Sequence, residues 1–122
     1  MTAWLCAVVL ALSVWSQEFP TQPVQHTVQE ARAYALEQLG VDQYNCLDRL
    51  VQRESRWNPR STNRASGAYG LPQALPGRKM ASAGYDWRTN PVTQIKWAIR
   101  YMRRRYGSPC EALAHSDRTG WY

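Results

Sequence analysis

The stretch Cys46–Pro59, Cys-Leu-Asp-Arg-Leu-Val-Gln-Arg-Glu-Ser-Arg-Trp-Asn-Pro, constrains the fold more than any other part of this chain. Its apolar residues Leu47, Leu50 and Val51 recur at i, i+3 and i+4, the spacing of a helix with one buried face. One turn further on, that face arrives at Glu54, a carboxylate where an apolar side chain is expected. Asn58-Pro59 then ends the helix, because the residue before a proline is driven out of the α region. Burial disfavours ionisation, so a glutamate on this face has a raised pKa and keeps its proton near neutral pH. A retained proton is what a general acid in glycoside cleavage requires. The alternative is a carboxylate that turns outward at the helix end, or pairs with Arg53 or Arg56.

A chain of 122 residues can hold one domain with a real core. Met1–Ser16 is almost wholly apolar and uncharged. Its apolar run, about 13 residues, is short for a membrane span and suits a signal peptide. An uncleaved anchor or a buried N-terminal helix would use the same residues, and no Lys or Arg stands near Met1. Removing 1–16 takes Cys6 away and leaves Cys46 and Cys110, which in an exported chain read as a disulfide. In a cytosolic protein they would be two buried thiols. The domain expected at 27–122 follows a polar, proline-containing linker at 17–26. No charged residue falls in 1–16, so the whole formal charge of +6 belongs to residues 17–122. Between Asp86 and Glu111 no acidic residue offsets Arg88, Lys96, Arg100, Arg103, Arg104 and Arg105. A basic exported domain expects an anionic partner, a cell wall first and a membrane surface second. No nucleic-acid-binding signature accompanies the charge, and no metal-ligand spacing is present.

The remaining signals are helical. Thr27-Val-Gln-Glu30 is a capping box, opening a helix with Val28, Ala31, Tyr34, Ala35 and Leu39 on one face and Gly40 at its end. Arg60–Gly70 is a loop by composition, and Pro72 and Pro76 favour a rigid, partly extended wall after it. A short helix is expected over Arg78–Ala83. Asn90-Pro91 starts the clearest helix, to Tyr106, with Ile95, Ala98, Ile99, Met102 and Tyr106 inward. Ser108-Pro109-Cys110-Glu111 caps a last helix to about His115. With no alternating run of strand length, the expectation is a single all-α domain with at most a small irregular hairpin.

The middle of the chain is rich in aromatic residues beyond the needs of its core: Trp57, Tyr69, Tyr85, Trp87, Trp97 and Tyr101, with Trp121 and Tyr122 at the end. Aromatic faces with polar edges suit a carbohydrate groove, although Trp97 and Tyr101, four apart on a helix, read first as core. Glu54-Ser55-x-Trp57-Asn58-Pro59, a Gly-containing loop and Ala68-Tyr69-Gly70-Leu71-Pro72-Gln73 together resemble the catalytic region of soluble lytic transglycosylases. These are bacterial peptidoglycan-cleaving enzymes of the lysozyme-like fold, akin to goose-type lysozyme. The resemblance runs from Tyr44 to the end, and the long Pro91–Tyr106 helix resembles that of small actinobacterial or phage-associated members.

The resemblance implies roles for individual residues. Glu54 takes the general acid/base position, with the Ser55 hydroxyl beside it helping to fix the site. Tyr69, Gly70 and Gln73 take the glycan-binding loop, and Tyr101 the helix tyrosine that points toward the glutamate. Two departures stand out: Pro72 replaces the usual methionine of the loop, and the family's later Ala-Tyr-Asn-x-Gly motif is absent in that form. Its tyrosine role passes to Tyr122 or Tyr101, with Trp121 as further groove wall. The implied reaction is cleavage of the β-1,4 bond between N-acetylmuramic acid and N-acetylglucosamine, leaving 1,6-anhydro ends. It needs no cofactor and is carried out by a secreted monomer at the cell wall. Two other readings remain: a hydrolysing lysozyme with Asp86 as second carboxylate, and a non-catalytic cationic wall-binding or antimicrobial protein.

Overall fold

The computed structural model describes residues 25–122. The leader expected at 1–16 and most of the linker lie outside the described residues. Three α-helices follow: α1 (Val28–Ser55), α2 (Pro91–Tyr106) and α3 (Pro109–Thr119). A 3-10 segment, Gly77–Ala83, stands where a short helix was expected. The two helices anticipated before Pro59 form one run, broken at Gly40, whose φ of 75° and ψ of 169° are not helical. No helix among the described residues is long and apolar enough to cross a membrane.

The caps lie where the sequence puts them. The Thr27 hydroxyl accepts from the Glu30 amide, Asn90 Oδ1 from the Val92 and Thr93 amides, and the Ser108 hydroxyl from the Glu111 amide. The Glu30 carboxylate does not close its capping box; it meets His26 Nδ1 at 2.7 Å. The last helix runs to Thr119, one turn past the expected end.

The three helices pack on one another around Leu47, Leu50, Val51, Ile95, Ile99, Met102, Ala112 and Leu113, all buried. A second, smaller core of Ala74, Met80 and Trp87 lies under the loop region. Strand structure amounts to isolated antiparallel bridges, Thr62 with Tyr69 and Tyr69 with Ala74, which is the small irregular hairpin expected. Cys46 and Cys110 are bonded, joining α1 to the start of α3. The two are 64 positions apart, a loop whose closure in the unfolded chain is worth roughly 4 kcal/mol.

Candidate active site

The stripe of α1 does what its spacing predicts. Leu47, Leu50 and Val51 are fully buried, and Glu54, one turn on, is half-buried. Burial pushes its carboxyl pKa up, and the neighbouring Arg53 guanidinium opposes that only in part. Arg53 is turned away to α3, donating to the Ser116 hydroxyl at 2.7 Å and the Asp117 carboxylate at 2.8 Å.

α1 ends sooner than its proline signal suggests. Arg56 and Trp57 both take left-handed backbone angles, φ 52° and 59°, and the Arg56 amide returns to the Gln52 carbonyl. Two side-chain-bearing residues in that region cost about 1–2 kcal/mol each. Their surroundings hold them: Trp57 is buried, its indole N–H donates to Asp48 Oδ1 at 2.7 Å, and the Arg32 guanidinium covers its ring. The turn directly after Glu54 is thereby fixed.

Ser55 fastens that helix end to the loop opposite. It is buried, and its hydroxyl lies 2.8 Å from the Leu71 carbonyl and 3.1 Å from the Val51 carbonyl. Its hydroxyl, implied to help fix the site beside Glu54, is engaged with the framework. The same holds for Tyr69, whose hydroxyl donates to the Arg88 carbonyl and whose ring meets Trp87 edge-on in the second core.

Gly70 is seated on a residue that sequence reasoning missed. At φ 79°, a Cβ there would stand 2.9 Å from the Gln94 carboxamide. Gln94 is fully buried on α2. Its Oε1 accepts the Leu71 amide, while its Nε2 donates to the carbonyls of Pro59 and Trp87, each at 2.9 Å. One side chain thus ties the Gly70-Leu71 loop, the end of the α1 turn and the approach to α2. Its signal was a polar residue on an apolar helical stripe, the signal that singled out Glu54. Gln73, at φ 53°, spends its Nε2 on the carbonyls of Ser61 and Gly70, which leaves its Oε1 as the polar atom for the cleft.

A cleft of about 90 Å³ opens between the Pro72–Leu75 wall and Lys79, Trp97, Tyr101 and Tyr122. Its floor lies over the seam of the two cores: Trp97 packs on the smaller, Tyr101 on the larger. Their rings stack at 5.0 Å, so this pair, read first as core, is groove lining with its back to the core. Tyr122 closes one side, its hydroxyl donating to the Pro72 carbonyl at 2.6 Å. Burial of that hydroxyl and then the charge of Glu54 hold its pKa well above the usual phenol range. Tyr122 is thus within reach of the Glu54 charge. Tyr101 also has a raised pKa, from burial and then from Tyr106.

Trp121 is half-exposed and turned onto His115, with ring centroids 4.5 Å apart, outside the cleft wall. Asp86 lies at the head of α2. Its carboxylate accepts from Asn90 Nδ2 at 2.8 Å and the Thr93 hydroxyl at 2.7 Å, which lower its pKa in that order. It lines a different depression, beside Tyr85 and His26. Among the described residues no group of His, Cys, Asp and Glu is placed to hold a metal ion.

A half-buried carboxyl at a helix end that Ser55 ties to a loop pinned by a buried glutamine, with its charge felt by the cleft-lining Tyr122, agrees with the family comparison. The model of the transglycosylase SLT domain matches residues 32–115, from the first turns of α1 into α3. No curated protein and no solved structure shows a significant match to the chain. The matched span holds the helix of Glu54, the Gly70–Gln73 loop and the whole of α2, and the chain belongs to the SLT-domain family, the soluble lytic transglycosylases of the lysozyme-like superfamily.

Proposed function

We propose that this protein cuts the β-1,4 bond between N-acetylmuramic acid and N-acetylglucosamine with Glu54 as its one catalytic carboxyl. The observation that carries the reading is the position of Glu54: the last residue of a buried stripe, with its pKa raised by burial and its charge felt by Tyr122, which lines an aromatic cleft. Protonated Glu54 donates to the leaving oxygen as the muramyl ring gains oxocarbenium character. The 6-hydroxyl oxygen of the same ring then bonds to its C1, and the hydroxyl proton passes to the Glu54 carboxylate. Glu54 ends protonated, no water is consumed, and the product is a 1,6-anhydro ring. Both partners of the second step belong to one molecule and share its proximity advantage.

The placement of Asp86 supports a single-carboxylate mechanism, since both its oxygens serve the start of α2. In the cleft, Trp97 and Tyr101 offer stacking faces, and Gln73 and Tyr122 polar edges, to the sugar rings. The protein acts outside the cytoplasm as a monomer, with 1–16 as leader and 27–122 as the working domain.

The test is a zymogram on purified cell wall with Glu54→Gln beside the parent, followed by mass analysis of the parent's muropeptides. Clearing by the parent alone, with ends one water lighter than hydrolysis products, is expected. Reducing ends, together with an Asp86→Asn variant as inactive as Glu54→Gln, would assign the chain to the lysozyme hydrolases.

A further inference from the structure

Next to the cleft lies a larger depression, about 410 Å³, with Lys79 and Ser82 on one wall and Arg100, Arg104 and Arg105 on the other. The two hollows share Lys79, Trp97 and Tyr101, so they adjoin. Arg100 and Arg104 are one helical turn apart on α2 and face Lys79 of the 3-10 segment. Among the described residues the ion pairs involve His26, Arg32 and Arg53, and none of these four cations. Arg100 donates only to the Ser82 carbonyl at 3.3 Å, and Arg105 to the Tyr106 hydroxyl at 3.1 Å. The side chains of Lys79 and Arg104 have no hydrogen-bond partner among the described residues, and no carboxylate among them lines the hollow.

Like charges gathered around a concavity repel one another, and the field they create draws in anions. Guanidinium groups match carboxylates by parallel N–H···O bonds, in a geometry lysine cannot offer. A ligand group rooted in the cleft reaches this hollow directly, because the two adjoin. Muramyl sugars carry, through their lactyl ether, short peptides with free carboxylates. At about 3.5 Å per extended residue, a peptide of a few residues rooted in the cleft spans the neighbouring hollow.

We propose that the Lys79–Arg100–Arg104–Arg105 groove binds the carboxylates of the peptide side chains on the glycan, making peptide-bearing strands the preferred substrate. This specificity rests on the peptidoglycan reading above and adds to it a site for the non-sugar part of the polymer.

Three substrates separate the possibilities: intact strands, strands stripped of peptide by an amidase, and strands whose peptide carboxyls have been converted to methylamides. The parent should cut the second and third with kcat/KM about tenfold below the first, the effect of one well-placed ionic contact. In the Arg100→Gln/Arg104→Gln double variant that ratio should fall toward one; both arginines are exposed, so the fold does not depend on them. Equal rates of the parent on intact and stripped strands would overturn the groove and leave the reaction standing. Calorimetry on Glu54→Gln protein tests the groove without catalysis. Peptide-bearing muropeptide should bind more tightly than its methylamide, and the two arginine changes should remove the difference. Equal binding of the two, or stronger competition by a phosphodiester wall polymer than by the peptide, would refute the proposal even if the chain cuts glycan.

Discussion

Gln94 Oε1 accepts the Leu71 amide at 2.9 Å, and through that bond the first turn of α2 sets the height of the loop that Ser55 also holds. The same carboxamide serves the carbonyls of Pro59 and Trp87. Gln94→Leu keeps the volume and leaves these buried groups without partners. A loss of about 3 kcal/mol is expected, read from the denaturant midpoint, with the Gly70–Gln73 loop loosened and activity reduced. A midpoint within error of the parent would show that water or neighbouring groups replace the bonds.

The raised pKa of Glu54 makes two statements about pH. Activity that needs the protonated carboxyl should persist above the ordinary carboxylate range and fall as pH rises through the raised pKa. Stability follows the same sign: the folded protein binds this proton more tightly than the unfolded chain, so stability drops with rising pH across that window. Glu54→Gln lacks the penalty. Its melting temperature should match the parent's at about pH 3, where both are uncharged at this position, and exceed it at about pH 7. Parallel curves over the whole range would mean the carboxyl is not desolvated.

Tyr122 separates two effects at one position. Tyr122→Phe loses only the bond to the Pro72 carbonyl, a cost of about 1 kcal/mol by thermal or chemical melting. Tyr122→Ala removes the ring as well and admits water to Glu54. The alkaline limb of the kcat/KM profile should then move to lower pH, toward an ordinary carboxylate. An unmoved limb would place the desolvation of Glu54 elsewhere.

Cys46→Ser and Cys110→Ser should each destabilise the protein by up to roughly 4 kcal/mol, and a reductant should do the same to the parent. Mass spectrometry of the non-reduced protein decides the pairing: two free thiols would contradict the bond seen between these residues.

Much of the framework was legible in the sequence because local rules govern it. Thr27, Asn90 and Ser108 cap where side-chain oxygens can reach amides two or three residues on. The buried faces follow from spacing alone, including the step from Val51 to Glu54. The site was read less completely because its bonds join positions far apart in the chain. The partner of the Ser55 hydroxyl is Leu71, 16 residues away, which no local pattern names. Gln94 finds a partner in Pro59, 35 positions back, and Tyr122 in Pro72, 50 back. The left-handed turn at Arg56 and Trp57 carries no glycine to announce it. The stacked Trp97 and Tyr101 were ambiguous because a four-residue spacing describes a helical face without saying what that face meets.

The half of α1 that carries Glu54 is held to α3 at both ends, by unlike means. At Cys46 the link is covalent and indifferent to ionic strength; at Arg53 it is a partly exposed ion pair and a hydroxyl contact, indifferent to reductant. The two fastenings therefore answer to separate solvents. Reductants slacken the helix far from the carboxyl and leave its position to Arg53, whereas concentrated salt weakens the Arg53–Asp117 pair beside Glu54 while the sulfur anchor stays closed. A helix latched in this way can loosen its grip at the Glu54 end without coming off the domain.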